Sequence, residues 1–192
     1  MLDLSPYRII LASNSPRRKE LLSGLDIDYE IKTLPDIDES YPDDLQGEDI
    51  VIHIARAKAD AYKDHLENNT LLVTADTIVL LDGKVYGKPY DDEDAKQMLR
   101  NLSGKTHTVI TGVCISAKEK QKAFGVSSEV RFAKLEEDEI EYYVNKYKPL
   151  DKAGAYGVQE WIGYIAVEHI SGSYFNIMGL PIQRLYRELK GF

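Results

Sequence analysis

The sequence predicts an α/β fold organised as one domain, and three observations support this prediction. A strand pattern over residues 7–12 leads directly into a helical pattern that begins at Pro16. Residues 71–81 read LLVTADTIVLL, an apolar run typical of a central strand that is buried on both faces. Strand and helix patterns then alternate along the chain, whose 192 residues suit a single domain with room for two lobes.

The further elements follow from apolar periodicity and from turn residues. Helical spacing predicts helices over residues 16–23, 48–66, 91–102 and 136–145, a short turn or helix over 173–179, and a final helix that starts at Pro181. Strand patterns occupy residues 29–33, 85–86, 105–117, 122–133 and 162–169, with 105–117 and 122–133 expected to pair as a hairpin. Two stretches are predicted to be irregular, the acidic segment 34–48 and the glycine-containing segment 151–159.

The composition restricts the class of protein. The chain is 43% hydrophobic and 29% charged, as expected of a globular protein in water. Its net charge of −8 argues against a general coat for nucleic acid. Cys114 is the only cysteine, so no intramolecular disulfide forms, and its apolar surroundings predict a buried thiol. The absence of a secretory signal and of a membrane-spanning apolar run leads us to expect a cytoplasmic location.

The turn after the first strand has the features of an anion-binding site. Ser15 is a favourable N-cap residue, and Pro16 suits the first position of a helix. Arg17 and Arg18 follow at once, although cations in a first helical turn oppose the helix dipole. A bound phosphate would reverse this penalty, and the hydroxyl groups of Ser13 and Ser15 belong to the same turn. The alternative is a solvated basic patch.

Asp76 lies in the middle of the predicted central strand. Burying an ionised carboxylate lowers the free energy of unfolding by roughly several kcal/mol, unless the carboxylate is paired or bound to a metal. We therefore predict a functional role for Asp76, with a structural salt bridge as the alternative. The acidic segment 34–48 is either a solvated loop or a source of one or two acids that contact metal or substrate.

Several motifs of nucleotide and metal sites are absent or misplaced. Gly104-Lys105-Thr106 resembles the end of a phosphate-binding P-loop, but the earlier glycine is missing and a helix precedes the motif. The four histidines lack the spacing of a zinc site, and no covalent nucleophile accompanies a base. The remaining features suit metal-assisted hydrolysis of a phosphoanhydride, with Asp76 as base or metal ligand.

An ordered set of short motifs resembles the Maf family of nucleotide pyrophosphatases. The motifs are Ser13-x-Ser15-Pro16-Arg17-Arg18, Ala55-Arg56-x-Lys58-Ala59, Ala75-Asp76-Thr77-Ile78-Val79, Gly87-Lys88-Pro89, Leu102-Ser103-Gly104-x-Thr106-His107, Asp151-Lys152-Ala153-Gly154-Ala155-Tyr156-Gly157-x-Gln159 and Gly172-Ser173-Tyr174. They span nearly the whole chain in the order of the family. The resemblance covers one Maf-like domain, residues 1–192.

The resemblance implies both a fold and a reaction. The fold is an elongated mixed β-sheet with flanking helices in two lobes, similar to the inosine triphosphate pyrophosphatases, with the active site in the groove of that fold. The reaction is hydrolysis of a nucleoside triphosphate to its monophosphate and pyrophosphate. The segment 151–159 is similar to the branch that acts on dTTP and UTP. A divalent metal such as Mg²⁺ or Mn²⁺, a homodimer and the removal of unwanted nucleotides are also implied.

Carried over by position, the resemblance assigns roles to individual residues. Asp76 corresponds to the proton acceptor, and Glu39 and Asp76 are the best candidates for the metal. The residues expected to contact the triphosphate are Ser13, Ser15, Arg17, Arg18, Lys58, Lys88 and Lys152. Those at specificity positions are Arg17, Thr77 and Gln159. One departure follows Gln159, where Glu160-Trp161 replaces a small, glycine-rich continuation.

Two other functions were considered. A non-catalytic nucleotide-binding regulator of septum formation would use the same anion site, but it would not need Asp76 within a strand. A nucleic-acid-binding module is disfavoured by the net charge of −8 and by the lack of a series of stacking aromatic residues. Pyrophosphate release from nucleotides separates catalysis from binding.

Overall fold

The computed structural model describes residue 4 and residues 7–192, which form a mixed seven-stranded sheet with flanking helices. The strands are β1 (Arg8–Leu11), β2 (Glu30–Ile31), β3 (Thr70–Leu81), β4 (Lys84–Tyr86), β5 (Thr106–Ala117), β6 (Lys120–Phe132) and β7 (Val167–Ser171). The α-helices are α1 (Pro16–Ser23), α2 (Glu48–Asp60), α3 (Asp92–Leu102), α4 (Glu137–Tyr147), α5 (Trp161–Ala166), α6 (Tyr174–Met178) and α7 (Ile182–Lys190). Short 3₁₀ turns cover Lys63–His65 and Ala153–Ala155.

The sheet follows the order β2-β1-β3-β5-β6-β7, and β4 pairs with β3 outside this path. Strand β1 runs parallel to both β2 and β3, whereas β4 and β7 run antiparallel to their neighbours. The sheet is therefore mixed, and β3 is a central strand, as the apolar run predicted. Residues of β3 up to Ala75 are buried, and Asp76 and Thr77 follow as a half-buried pair.

The chain divides into two compact units. Of the described residues, unit 1 contains residues 4, 7–76, 111–126 and 179–192, and unit 2 contains residues 77–110 and 127–178. Strands β3, β5 and β6 each contribute residues to both units.

The core of unit 1 packs helix α2 against the first strands. Ile10, Ala55, Tyr62, Leu72 and Cys114 belong to one buried cluster. Burial raises the pKa of the Cys114 thiol to about 11, which keeps it protonated and unreactive at neutral pH, as predicted for a buried strand thiol. Among the described residues, no helix has the length and apolar character needed to cross a bilayer.

The core of unit 2 contains a buried histidine among aromatic rings. The His107 ring meets the rings of Phe132 and Tyr156 edge-on, with centroid distances of 4.9 and 5.4 Å. His107 Nε2 is 2.8 Å from the Tyr156 hydroxyl oxygen. Burial lowers the pKa of His107 to about 4, so the ring is neutral at physiological pH.

This buried ring predicts a loss of stability in acid. An unfolded histidine has a pKa near 6.5, so the unfolded chain binds the proton before the folded chain does. The contribution of neutral His107 to the free energy of unfolding is fully present above pH 6.5. We expect on the order of 2 kcal/mol of this free energy to be lost as the pH falls towards 4. Urea unfolding at several pH values measures this slope. The His107→Gln variant should show a shallower slope, and an equal slope in both proteins would contradict the prediction.

Two sequence predictions about the elements were wrong. Residues 162–169, predicted as a strand, form most of helix α5 and only the start of β7. In α5 the buried side chains Ile162 and Ala166 are one helical turn apart, and a Cβ at Gly163 would lie 1.8 Å from the Val158 carbonyl oxygen. This close packing of glycine on the preceding backbone favours the helix. The predicted helix 48–66 ends earlier, at Asp60.

Candidate active site

The start of helix α1 forms as the sequence predicted. The Ser15 hydroxyl accepts a hydrogen bond from the Arg18 backbone N–H at 3.5 Å, and the Ser15 N–H donates to the Ser13 hydroxyl at 3.2 Å. Ser13 is buried, and Arg17 and Arg18 are half-buried. The two serine hydroxyls thus shape the turn, and two cations lie at the positive end of the helix.

The guanidinium of Arg18 holds α1 against β3. Its Nε donates to the Gly179 carbonyl at 2.8 Å, and its Nη1 donates to the Ala75 carbonyl at 2.9 Å. Burial lowers the pKa of Arg18, and the nearby Asp76 carboxylate acts in the opposite direction. Because arginine remains charged in proteins, the turn keeps a partly desolvated cation beside Asp76.

Asp76, Lys58 and Glu39 form a charged cluster in unit 1. Lys58 Nζ lies 2.7 Å from Asp76 Oδ1 and 3.0 Å from Glu39 Oε1. The side chains of Lys58 and Asp76 are only 13% and 16% exposed, whereas Glu39 is 52% exposed. Glu39, from the acidic segment 34–48, therefore forms an ion pair with Lys58, and the Lys58 ammonium bridges the carboxylates of Glu39 and Asp76.

Helix α2 is fixed so that Lys58 faces Asp76. The Thr74 hydroxyl donates a hydrogen bond to the Ala55 carbonyl at 2.6 Å, and Thr74 is fully buried. A Cβ at Gly112 would lie 2.3 Å from the Val51 carbonyl oxygen, so glycine lets β5 approach this helix closely. The backbone of α2 is thus held at Val51 and Ala55, in the two turns that precede Lys58.

The charged cluster and the start of α1 together bring opposite charges into a partly desolvated setting. Arg17, Arg18 and Lys58 supply three cations, and Asp76 and Glu39 supply two carboxylates. Phosphoryl transfer needs cations for the phosphate oxygens and a carboxylate for the attacking water. This part of the molecule therefore has both kinds of group.

Glu39 and Asp76 are the residues that could hold a metal ion. Mg²⁺ is commonly bound by one or two carboxylates together with substrate phosphates and water. Their bridging by the Lys58 ammonium makes this pair of oxygens a cation site already. No group of three or more acidic, histidine or cysteine side chains able to bind a metal occurs within residues 7–192. The donor set therefore fits a metal that takes its other ligands from phosphate and water.

Unit 2 places Lys88 and Lys152 in different surroundings. Lys88 is exposed in the loop after β4, and this loop is held by a hydrogen bond of 3.0 Å from the Gly154 N–H to the Gly87 carbonyl. Lys152 is buried, and its Nζ lies 2.7 Å from Asp151 Oδ1 and 3.2 Å from Glu160 Oε1. Phosphate contact by both lysines stays a prediction.

Two residues of unit 2 were predicted as specificity positions, Thr77 and Gln159, and both are half-buried. The Oε1 atom of Gln159 is buried and has no hydrogen-bond partner among the residues that the structure describes. A buried acceptor without a donor costs about 1–3 kcal/mol. A ligand that brings an N–H group to this oxygen would remove the penalty.

Sequence reasoning did not assign functions to Glu160 and Tyr143. Glu160 ion-pairs with Lys152, and one of its carboxylate oxygens accepts a hydrogen bond from the Tyr143 hydroxyl. In the sequence, Glu160 is visible only as a departure from the glycine-rich continuation expected after Gln159. Tyr143 gave no signal, because a tyrosine in an amphipathic helix is most often a core residue.

Comparisons with known proteins give a consistent result. A profile of the family described as Maf-like protein matches residues 8–192. A "dTTP/UTP pyrophosphatase" from Bacteroides fragilis is 64% identical over 99% of this chain and 98% of its own. A "dTTP/UTP pyrophosphatase" from Porphyromonas gingivalis is 56% identical over 100% of this chain and 98% of its own. The solved structure of a HAM1 protein from Coxiella burnetii shares the fold, with a TM-score of 0.54 at 16% identity over 97% of this chain and 100% of that one.

Proposed function

Since the chain belongs to the Maf-like protein family, we propose that it hydrolyses dTTP and UTP to the monophosphate and pyrophosphate. The relatives named above for this activity match along almost its full length. The observation that carries the proposal is Asp76, a half-buried carboxylate in a central strand, which is paired with Lys58 and lies near the cationic start of α1. A non-catalytic regulator would have no need of this carboxylate.

The triphosphate is bound by cations and by the start of α1. Arg17 and Arg18 act with the positive end of the helix dipole, in the turn that Ser13 and Ser15 shape. Lys58 and Lys88 contact further phosphate oxygens. These charges stabilise the pyrophosphate as negative charge builds up on it.

Asp76 is the general base of the proposed reaction. Its carboxylate orients a water molecule and takes a proton from it as the water oxygen attacks the α-phosphorus. The bond from the α-phosphorus to the bridging oxygen breaks, and the electron pair leaves with pyrophosphate. Lys58, hydrogen-bonded to Asp76 Oδ1 at 2.7 Å, fixes the direction of the carboxylate.

A divalent cation, Mg²⁺ or Mn²⁺, completes the proposed site. Glu39 and Asp76 would hold it, in keeping with the oxygen donors that these metals prefer. When bound, such a cation neutralises charge on the phosphate oxygens. We further propose that the protein acts as a cytoplasmic homodimer that removes unwanted nucleotides.

Gln159 reads the base. Uracil and thymine share an N3–H donor flanked by two carbonyl oxygens, and one amide group can bond to both kinds of group. The buried Gln159 Oε1 accepts from the N3–H of the base in this proposal. Arg17 and Thr77 occupy the other specificity positions.

Hydrolysis in water enriched in ¹⁸O tests the reaction directly. Attack at the α-phosphorus places the label in the monophosphate, whereas attack at the β-phosphorus places it in pyrophosphate. We expect pyrophosphate release from dTTP and UTP with the label in dTMP and UMP. Binding of both nucleotides without release of pyrophosphate would support the non-catalytic regulator instead.

The choice of substrate gives a separate prediction. At N3, where uracil and thymine have an N–H donor, cytosine has an acceptor, so CTP would place an acceptor against the acceptor oxygen of Gln159. We expect dTTP and UTP to exceed CTP and the purine triphosphates at least about 10-fold in kcat/KM. A competition assay with all common triphosphates at equal concentration measures this ratio. If GTP or a methylated GTP is consumed before dTTP and UTP, the base assignment is wrong, although the pyrophosphatase chemistry still stands.

The Gln159→Glu variant supplies the matched comparison for this assay. Glutamate keeps an acceptor but has no donor for a base carbonyl, so use of dTTP and UTP should fall. Binding of free pyrophosphate should change less, because pyrophosphate has no base. An equal loss of both would show that Gln159 does not act on the base.

A further inference from the structure

Glu160 lies at the centre of a buried polar network in unit 2. One carboxylate oxygen lies 3.2 Å from Lys152 Nζ, and the other accepts a hydrogen bond from the Tyr143 hydroxyl. The Lys152 side chain is 9% exposed and that of Glu160 is 20% exposed. Tyr143 is fully buried. Such a network is not favoured for stability alone, because desolvation offsets much of the attraction of a buried ion pair.

The network fixes the turn that carries Gln159. The Gly157 N–H donates to the Tyr143 hydroxyl at 3.0 Å, and the Glu160 N–H donates to the Gly157 carbonyl at 3.0 Å. The Tyr143 hydroxyl therefore accepts a hydrogen bond from the backbone of Gly157, before Gln159, and donates one to the side chain of Glu160, after it. The backbone of residues 157–160 is held at both ends.

The carboxylate of Glu160 and the amide of Gln159 approach the same point. A Cβ at Gly157 would lie 2.9 Å from Glu160 Oε2 and 3.1 Å from Gln159 Nε2. A negative carboxylate attracts the NH₂ end of an amide and repels its carbonyl oxygen. The opposite amide orientation would place Oε1 on the side of the carboxylate. Glu160 thus favours the orientation in which Nε2 lies on its side and Oε1 is left for a ligand.

We propose that Glu160 is a positioning residue that fixes the orientation of the Gln159 amide and thereby sets the preference for 4-oxo pyrimidines over cytosine. The inference rests on the proposed function of Gln159. A freely rotating amide would suit cytosine and uracil equally, because rotation exchanges its donor and acceptor. With Oε1 held away from Glu160, the base must have an N–H donor at N3, which uracil and thymine have and cytosine lacks. Lys152 serves as the counter-ion of Glu160 in this arrangement.

The test measures binding, so that it does not depend on turnover. Titration calorimetry with the non-hydrolysable α,β-methylene analogues of UTP and CTP gives the ratio of their dissociation constants. We expect wild type to favour the UTP analogue at least about 10-fold, and Glu160→Gln to bring this preference below about 3-fold, chiefly by improving binding of the CTP analogue. A wild type that binds both analogues equally, or a Glu160→Gln variant that keeps the full preference, would overturn the proposal.

Two neighbouring tyrosines provide a second test that does not require the Glu160 variant to fold. Tyr143→Phe removes the hydroxyl that holds Glu160, whereas Tyr142→Phe changes an exposed ring on the same helix. We expect the UTP preference to fall in Tyr143→Phe and to stay at the wild-type value in Tyr142→Phe. Equal weakening of both analogues in Tyr143→Phe would show a merely structural role and overturn the proposal.

A double-mutant comparison ties the effect to Gln159. In a Gln159→Ala background, Glu160→Gln should leave the ratio of dissociation constants unchanged, because there is no amide left to orient. A shift of the ratio in that background would overturn the proposal. Pyrophosphate release by wild type is measured in parallel, so a protein that binds the analogues selectively but does not hydrolyse UTP refutes the proposed function and leaves the positioning role standing.

Discussion

The Asp76→Asn variant should lose at least about 100-fold in kcat while remaining folded. Removal of a general base typically costs 10²- to 10⁴-fold, and asparagine has neither the negative charge nor the proton affinity of a carboxylate. The fold should persist because the amide oxygen of asparagine can still accept the hydrogen bond that Lys58 now donates to Asp76 Oδ1. Steady-state pyrophosphate release and thermal unfolding measure the two effects.

Binding separates a catalytic role of Asp76 from a role in holding the triphosphate. Removing a negative charge near a polyanion should leave metal-free binding of α,β-methylene UTP unchanged or stronger. Asp82→Asn is the matched control, because Asp82 is an exposed aspartate at the turn after β3 and its positive φ of 51° is tolerated by asparagine. Near-normal turnover in folded Asp76→Asn would remove Asp76 from the chemistry.

The sequence predicted most closely the elements whose two ends are marked by capping or turn residues. Helix α1 was predicted over 16–23 and has these bounds, because Ser15 and Pro16 mark its start and Gly24 follows its end. Strand β3 differs from the predicted 71–81 by one residue. The hairpin prediction for 105–117 and 122–133 agrees with neighbouring strands β5 and β6. Local residue types decide such features, so one sequence is enough to predict them.

Elements decided by packing were predicted less well. The apolar run over 162–169 suits a strand or a buried helix, and the close approach of Gly163 to the Val158 carbonyl in the folded chain favours the helix. In α2 the structure buries Ala55 and Ala59, whereas Ala57 is half-buried and Ala61, at the C-cap, is exposed. Alanine carries too little apolar surface to reveal which side of a helix faces the core.

The candidate site likewise combines features that the sequence predicts with contacts that only the folded structure reveals. The sequence indicated that Asp76 needs a partner and singled out Lys58 and Glu39 separately, and the structure joins the three at 2.7 and 3.0 Å. Adjacent arginines such as Arg17 and Arg18 give no sequence signal that distinguishes their roles. The carbonyl partners of Arg18 lie 57 and 161 positions away in the chain, so only the folded structure reveals them.

This difference predicts that Arg18→Ala destabilises the ligand-free protein, by roughly 3 kcal/mol, whereas its neighbour variant Arg17→Ala does not. Alanine at position 18 removes both donors from the carbonyls of Ala75 and Gly179, and a hydrogen bond from a charged group contributes about 1.5–3 kcal/mol. Relief of the dipole conflict offsets only about 0.3–1 kcal/mol of this loss. For Arg17→Ala we expect relief of the dipole conflict to leave stability unchanged or slightly raised, while substrate use weakens.

Urea unfolding of the two variants without ligand measures this contrast, and the Arg18→Lys variant refines it. Lysine keeps the charge but lacks the planar fork that reaches two carbonyls at once, so Arg18→Lys should lie between Arg18→Ala and wild type in free energy of unfolding. If Arg18→Ala unfolds at the wild-type urea concentration, the two carbonyl contacts do not contribute to stability. A clear loss of stability in Arg17→Ala would instead make Arg17 a structural residue, and its assignment to the phosphates would lose its physical basis.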